Sequence, residues 1–94
     1  MNKFTPIRFD AGDKIFAEGQ NSREVYFVTG GKVLNVTTNR RFLVGSMIGH
    51  EDLLYDRKRD STVEAETEVF TLRLERETLE KIFSEYPEIP ILLR

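Results

Sequence analysis

The chain has no cysteine, one histidine and three prolines among its 94 residues, and each shortage closes off some chemistry. Without cysteine there are no disulfides and no thiolate ligands or nucleophiles, and the redox compartment is left open. The lone histidine, His50, falls short of the two or three that catalytic metal sites usually draw on. No serine has a paired base. The sequence therefore argues against an enzyme, and it offers no catalytic residue, no metal ligand and no cofactor. No apolar run approaches the roughly 20 residues of a membrane helix. The opening MNKFTPIRFD lacks the apolar core of a secretion signal, so a cytoplasmic location is expected, for a whole protein or for part of a larger one. Charge of one sign is also scarce: 14 Lys and Arg stand against 16 Asp and Glu, a net −2. That balance disfavours nucleic acid, whose phosphates are bound chiefly through clustered cations, and no helix-turn-helix pattern follows the strands. Two short basic runs remain. Arg40-Arg41 reads as a solvated hairpin tip, and Arg57-Lys58-Arg59 as two solvated charges followed by one of interest.

What is present is a soluble globular composition, 39% hydrophobic and 32% charged. A chain this small buries about 60 to 65 per cent of its unfolded surface and supports one modest core, so a single domain over 1–94 is expected. Short apolar runs broken by Gly, Asn or Asp predict strands at Ile7-Phe9, Lys14-Phe16, Glu24-Thr29, Lys32-Thr38, Arg41-Val44, Asp60-Ala65 and Glu68-Leu74. In the last, Phe70, Leu72 and Leu74 alternate with Thr71 and Arg73, placing three apolar side chains on one face. Gly30-Gly31 signals a tight turn, and Thr37-Thr38-Asn39-Arg40 a hairpin connection. After Leu74 the period lengthens: Leu79, Ile82, Phe83 and Tyr86 fit one helical face, with Glu75, Glu77 and Glu80 near its N-terminus. Pro87 stops that helix, and Glu88 to Arg94 begins another turn or ends the chain. The expected fold is mainly β: a jelly-roll-like (double-stranded β-helix) barrel over about 6–74, a short helix within it, and an amphipathic helix over about 75–86.

The most informative stretch is Gly45 to Ala65, GSMIGHEDLLYDRKRDSTVEA. A glycine precedes a short Leu-Leu helix, Arg59 follows ten residues after Gly49, and a Ser-Thr-Val strand comes next. Upstream lie Phe9-Asp10-Ala11-Gly12-Asp13-Lys14-Ile15-Phe16-Ala17-Glu18-Gly19-Gln20 and Tyr26-Phe27-Val28-Thr29-Gly30-Gly31-Lys32-Val33. This ordered set, over roughly residues 7 to 87, resembles the cyclic-nucleotide-binding domain family of catabolite activators, protein kinase A regulatory subunits and cyclic-nucleotide-gated channels. The resemblance implies a regulatory domain whose ligand is cAMP or cGMP, held by a phosphate-binding cassette. Such a cassette suits a compact anion: backbone N–H groups at a helix start and one guanidinium fork. Gly49 lets the backbone approach, Glu51 and Asp52 supply amides, and Arg59 supplies the fork.

The cassette departs from the family at informative places. Where the family usually has glutamate to accept from the ribose 2′-hydroxyl, this chain has His50, whose neutral imidazole accepts a weaker bond. Glu51 and Asp52 stand where the family prefers small or apolar residues. Asp60, next to Arg59, is expected to face solvent or to cap Arg59, with contact to a guanine amino group as the alternative. The candidate ligand-binding set is Gly49, His50, Glu51, Asp52, Arg59, Asp60 and Ser61. Losing one charged hydrogen bond costs about 1 to 3 kcal/mol, which turns micromolar affinity into about ten micromolar to low millimolar. The expected function is a cyclic-nucleotide-binding-like sensor coupled to a protein partner or output domain. The alternative is a degenerate barrel serving as an interaction or dimerisation module, with the apolar helix face docking a partner or a second copy. The further helix that family members place after the first C-terminal one is expected to be absent from this chain.

Overall fold

The computed structural model describes residues 4–86. The predicted stop at Pro87 and the segment after it lie outside the described residues. Ten elements follow one another: β1 (Thr5–Phe9), β2 (Lys14–Phe16), β3 (Glu24–Gly30), β4 (Val33–Asn35), β5 (Arg40–Phe42), β6 (Met47–Ile48), α1 (His50–Leu54), β7 (Val63–Ala65), β8 (Val69–Glu75) and α2 (Arg76–Glu85). The strands form two four-stranded antiparallel sheets, ordered β1-β8-β3-β6 and β2-β7-β4-β5. This is the expected jelly-roll arrangement, mainly β with two short helices.

The glycines act where the chain changes sheet. Gly31 takes φ +87°, and a Cβ there would collide with the Glu68 carbonyl oxygen, so only glycine fits the passage from β3 to β4. Because β3 and β4 belong to different sheets, this turn is a crossover rather than a hairpin. The second turn is a true hairpin: β4 pairs β5 with Asn35 opposite Arg40, and Asn39 between them has φ +60°.

Apolar side chains collect in two places. Ile15, Phe16, Val33, Val63 and Ala65 of one sheet meet Tyr26, Val28, Ile48 and Val69 of the other, forming the core between the sheets. Val25, Leu74, Leu53 and Leu79 form a second cluster, joined by Met47, Ile82 and Phe83, where α1 and α2 cover the outer face of the β1-β8-β3-β6 sheet. Register explains the split. Opposite Val25 in β3 stands Leu74 of β8, and opposite Val28 stands Thr71.

The alternation in β8 is real, but it faces the other way from a central core. Val69 and Thr71 point between the sheets and are buried, whereas Leu74 lies under the helices and Phe70 is 47% exposed. A strand whose two faces are both partly covered carries an apolar period on either side, so the period marks a covered face without saying which. Boundaries shift for a related reason. The strands predicted at Lys32-Thr38 and Asp60-Ala65 shorten to Val33–Asn35 and Val63–Ala65. Their missing ends are held by side-chain bonds, such as the Asn35 Oδ1 that accepts from the N–H groups of Thr37 and Thr38 at 3.0 Å each. The two-residue β6 was too short to register as a period at all.

Candidate functional site: the Gly49–Ser61 cassette and its cleft

The site is built by a helix that is only one turn and a half long. Gly49 leaves β6 with φ +87° and caps α1, whose five residues His50–Leu54 end at Tyr55. Asp56, at φ +51°, turns the chain back, and the Arg57 N–H donates to the Asp52 carbonyl at 2.9 Å. Arg59 is then clamped to the β2–β3 loop: its N–H donates to Gln20 O at 2.9 Å and its carbonyl accepts from Gly19 N at 2.8 Å. Ser22 Oγ adds a bond to the Arg57 carbonyl at 2.6 Å. The C-terminal end of the cassette is therefore tied to the β2–β3 loop before any ligand is considered.

Arg59 does not project into solvent. Its side chain is 2% exposed, with Nη1 donating to the Gly49 carbonyl at 2.8 Å and Nη2 to the Glu24 carbonyl. The guanidinium lies 4.1 Å from the centroid of the Phe16 ring, a cation–π contact, and Nη1 is 3.7 Å from the Asp52 carboxylate. Nε has no partner. Burial pushes the Arg59 pKa down from the usual arginine value, opposed first by the Asp52 charge and then by Tyr26 and Glu24. Gly49 serves this guanidinium directly: a Cβ on residue 49 would collide with Arg59 Nη1.

The carboxylates divide the work unexpectedly. Asp52, 5% exposed, is the counter-ion of Arg59 and also accepts from Arg57 Nε at 2.9 Å. Asp60 is exposed and meets Arg57 at 3.4 Å instead of Arg59. Of the expected placements of Asp60, the solvent-facing one is found and the pairing with Arg59 is corrected, and Arg57, read from sequence as a solvated charge, links Asp52, Asp60 and, at 3.9 Å, Glu51. Sequence neighbours in extended backbone point to opposite sides, which sends Arg59 inward and Asp60 outward. Ser61 is buried, accepting from Asn35 Nδ2 at 2.9 Å and donating to Asp60 at 3.2 Å.

A cleft of about 760 Å³ opens beside the cassette. Gly49, His50, Glu51, Asp52, Asp60 and Ser61 line it, together with Phe16, Asn35, Arg40, Phe42 and Ile48 from the two sheets. Six of the seven residues proposed from sequence thus line one cleft, while Arg59 sits behind Gly49 and not on the lining. Arg40, read from sequence as part of a solvated tip, stacks 5.1 Å from the Phe42 ring at the cleft's edge. The cleft offers hydrogen-bond donors and acceptors, two aromatic rings and one guanidinium; the three carboxylates face an anion unfavourably. Among the described residues no cluster of three or more His, Cys, Asp or Glu is arranged to hold a metal ion, and no helix is long and apolar enough to cross a membrane.

Residues 6–86 match the cyclic nucleotide-binding domain family. The chain belongs to that family. Solved structures of similar shape include PKAR CBD2 bound to Sp-2Cl-cAMPS, with TM-score 0.87 and 20% identity over 98% of this chain and 64% of that one. The regulatory subunit of a cAMP-independent protein kinase A from Trypanosoma brucei gives TM-score 0.83 and 26% identity over 97% of this chain and 34% of its own. A triply substituted form of that subunit, bound to cAMP in its A site, gives TM-score 0.82 and 24% identity over 98% and 36%. This chain therefore spans between about a third and just under two thirds of the solved chains it resembles. No curated protein matches its sequence. As a cyclic nucleotide-binding domain, the chain has a cassette marked by the buried Arg59–Asp52 pair.

Proposed function

We propose that this chain is a regulatory domain that takes a cyclic mononucleotide, cAMP or cGMP, with low affinity in the cleft beside the cassette, and passes occupancy to a partner or output domain through α1 and α2. The observation that carries this reading is that Gly49, His50, Glu51, Asp52, Asp60 and Ser61 together line one cleft of about 760 Å³, a volume within the range of small-molecule sites. The route to an output is physical. Leu53 of α1 and Leu79 of α2 share one buried cluster, so a cassette that moves on binding also moves the helix packed against it. A ligand drives that movement only by its differential affinity for the two arrangements. The low affinity follows from His50 in place of a carboxylate and from the acidic wall.

A second reading, an interaction module whose cleft no longer holds a nucleotide, is favoured by the burial of Arg59 away from the lining. The Trypanosoma brucei comparison bears on the choice. In the cAMP-bound variant a glutamate replaced by alanine lies seven residues before a threonine replaced by arginine, the spacing of Asp52 and Arg59 here.

Amide chemical shifts followed by nuclear magnetic resonance during titration with cAMP and cGMP test the proposal. Saturable shifts at Gly49, His50, Glu51, Asp60 and Ser61, with Kd of about ten micromolar to low millimolar, are the expected result. Spectra unchanged at millimolar ligand leave the interaction module as the better account. Arg59→Ala is a poor control, because the side chain is part of the core; His50→Ala, on the cleft wall, is the cleaner one.

A further inference from the structure

A buried carboxylate needs partners, and Asp52 has an unusual pair of them. Desolvation of such a group is offset only by close opposite charge or hydrogen bonds. Asp52 obtains both from two arginines, Arg57 Nε at 2.9 Å and Arg59 Nη1 at 3.7 Å. It lines the cleft while Arg59 lies behind it. Any anion entering the cleft therefore meets the Asp52 carboxylate before it meets the Arg59 guanidinium. The remaining cassette charges do not relieve this. Arg57 is shared among Asp52, Asp60 and Glu51, so these three carboxylates meet only the two guanidiniums of Arg57 and Arg59.

We propose that Asp52 is the specificity-determining residue of the cleft, a resident anion that occupies Arg59 and sets the cleft against the cyclic phosphate. This inference rests on the reading that the cleft takes a cyclic nucleotide. It assigns the larger share of the low affinity to one side chain of the acidic wall, beyond the share that His50 contributes. The geometry supplies the route by which removal of that carboxylate exposes a phosphate site. Arg59 Nε already lacks a partner, and Nη1, now beside Asp52, would gain access to the cleft past Gly49, which carries no Cβ to block it.

Calorimetric titration of cAMP and cGMP into the full chain, its Asp52→Ala and Asp52→Asn variants and Arg40→Ala provides the test. Asp52→Ala is expected to bind at least one of the two about ten- to a hundredfold more tightly, the effect of removing one like charge from a partly buried site. Asp52→Asn, which keeps an acceptor for Arg57, is expected to gain in the same direction. It reads the same effect should the alanine variant fail to fold. Unchanged or weaker binding in both folded variants overturns the proposal, as does affinity lost only in Arg40→Ala, which places the phosphate on the cleft's edge. The two readings fail differently. Binding by wild type and variants alike leaves the sensor standing without a role for Asp52. Binding by the variants alone supports the role of Asp52 and makes the natural chain the interaction module. No binding by any form overturns both.

Discussion

Gly49 and Arg59 are one device at the scale of single residues, because the guanidinium of the second fills the space that a side chain on the first would need. Residue 49 stands at φ +87°, and its carbonyl accepts from Arg59 Nη1 at 2.8 Å. Gly49→Ala is expected to destabilise the fold by about 1 to 3 kcal/mol through left-handed strain, with the Arg59 collision added to it. Urea denaturation measures the change; a loss below about 0.5 kcal/mol would show that Arg59 moves aside freely. Tyr26 offers a second residue-scale test. Burial, and then the charge and hydrogen bond of Glu24, push its phenol up to about 12. A folded-state pKa above the unfolded value near 10 means that the neutral phenol is favoured in the fold. The stability it contributes is whole below pH 10 and lost as pH rises toward 12. Tyr26→Phe is therefore expected to flatten the fall in Tm between pH 9.5 and 11.5 relative to the natural chain. Parallel curves for the two proteins would assign the fall to other groups. The sequence made Gly49 and Arg59 visible through their spacing. It could not show that the counter-ion is Asp52, seven positions away, rather than the adjacent Asp60, because that choice depends on how the segment after α1 turns back against Asp52 and is held by the β2–β3 loop.

Among the elements, α1 and α2 are short and gain their stability from the sheet they cover. A helix of five residues is not stable alone in water, so α1 persists through Leu53 and the cassette's charge pairs. The same holds for α2, in which Leu79 is buried at 3% exposure, Ile82 and Phe83 are half-buried and Tyr86 is exposed. Leu79→Ala is expected to cost about 2 to 5 kcal/mol, and Tyr86→Ala less than about 1. Guanidinium melts give both numbers, and equal costs would mean that the stripe docks along its whole length. The helix was legible because its period is long and regular. Of the strands around the cassette, β7 was legible with its start placed three residues early, whereas β6 has two residues, too few for alternation to separate strand from loop.

For the whole molecule, two apolar clusters on opposite faces of one sheet make the response to ligand a question of how they are linked. The core between the sheets includes Phe16, Ile48 and Val63 on the cleft wall, and the cluster under the helices includes Leu53 and Leu79. Strand β3 belongs to both, with Val25 facing the helices and Tyr26 and Val28 facing the other sheet. A ligand that binds only the folded chain stabilises it by RT ln(1 + [L]/Kd), about 1.4 kcal/mol at ten times Kd. In a domain of this size that corresponds to a Tm rise of roughly 6 to 11 °C. Cyclic nucleotide at that excess is expected to raise Tm accordingly and to slow amide exchange in α1 and α2 more than in β1, which contributes no residue to the cleft lining. A rise in Tm with exchange slowed equally everywhere would mean that the ligand stabilises the domain without moving the helices. An equal rise with 5′-AMP would mean that the cyclic phosphate is not what the cleft recognises. Slowing confined to the cassette would break the proposed link, because α2 then reports nothing of what happens at Gly49.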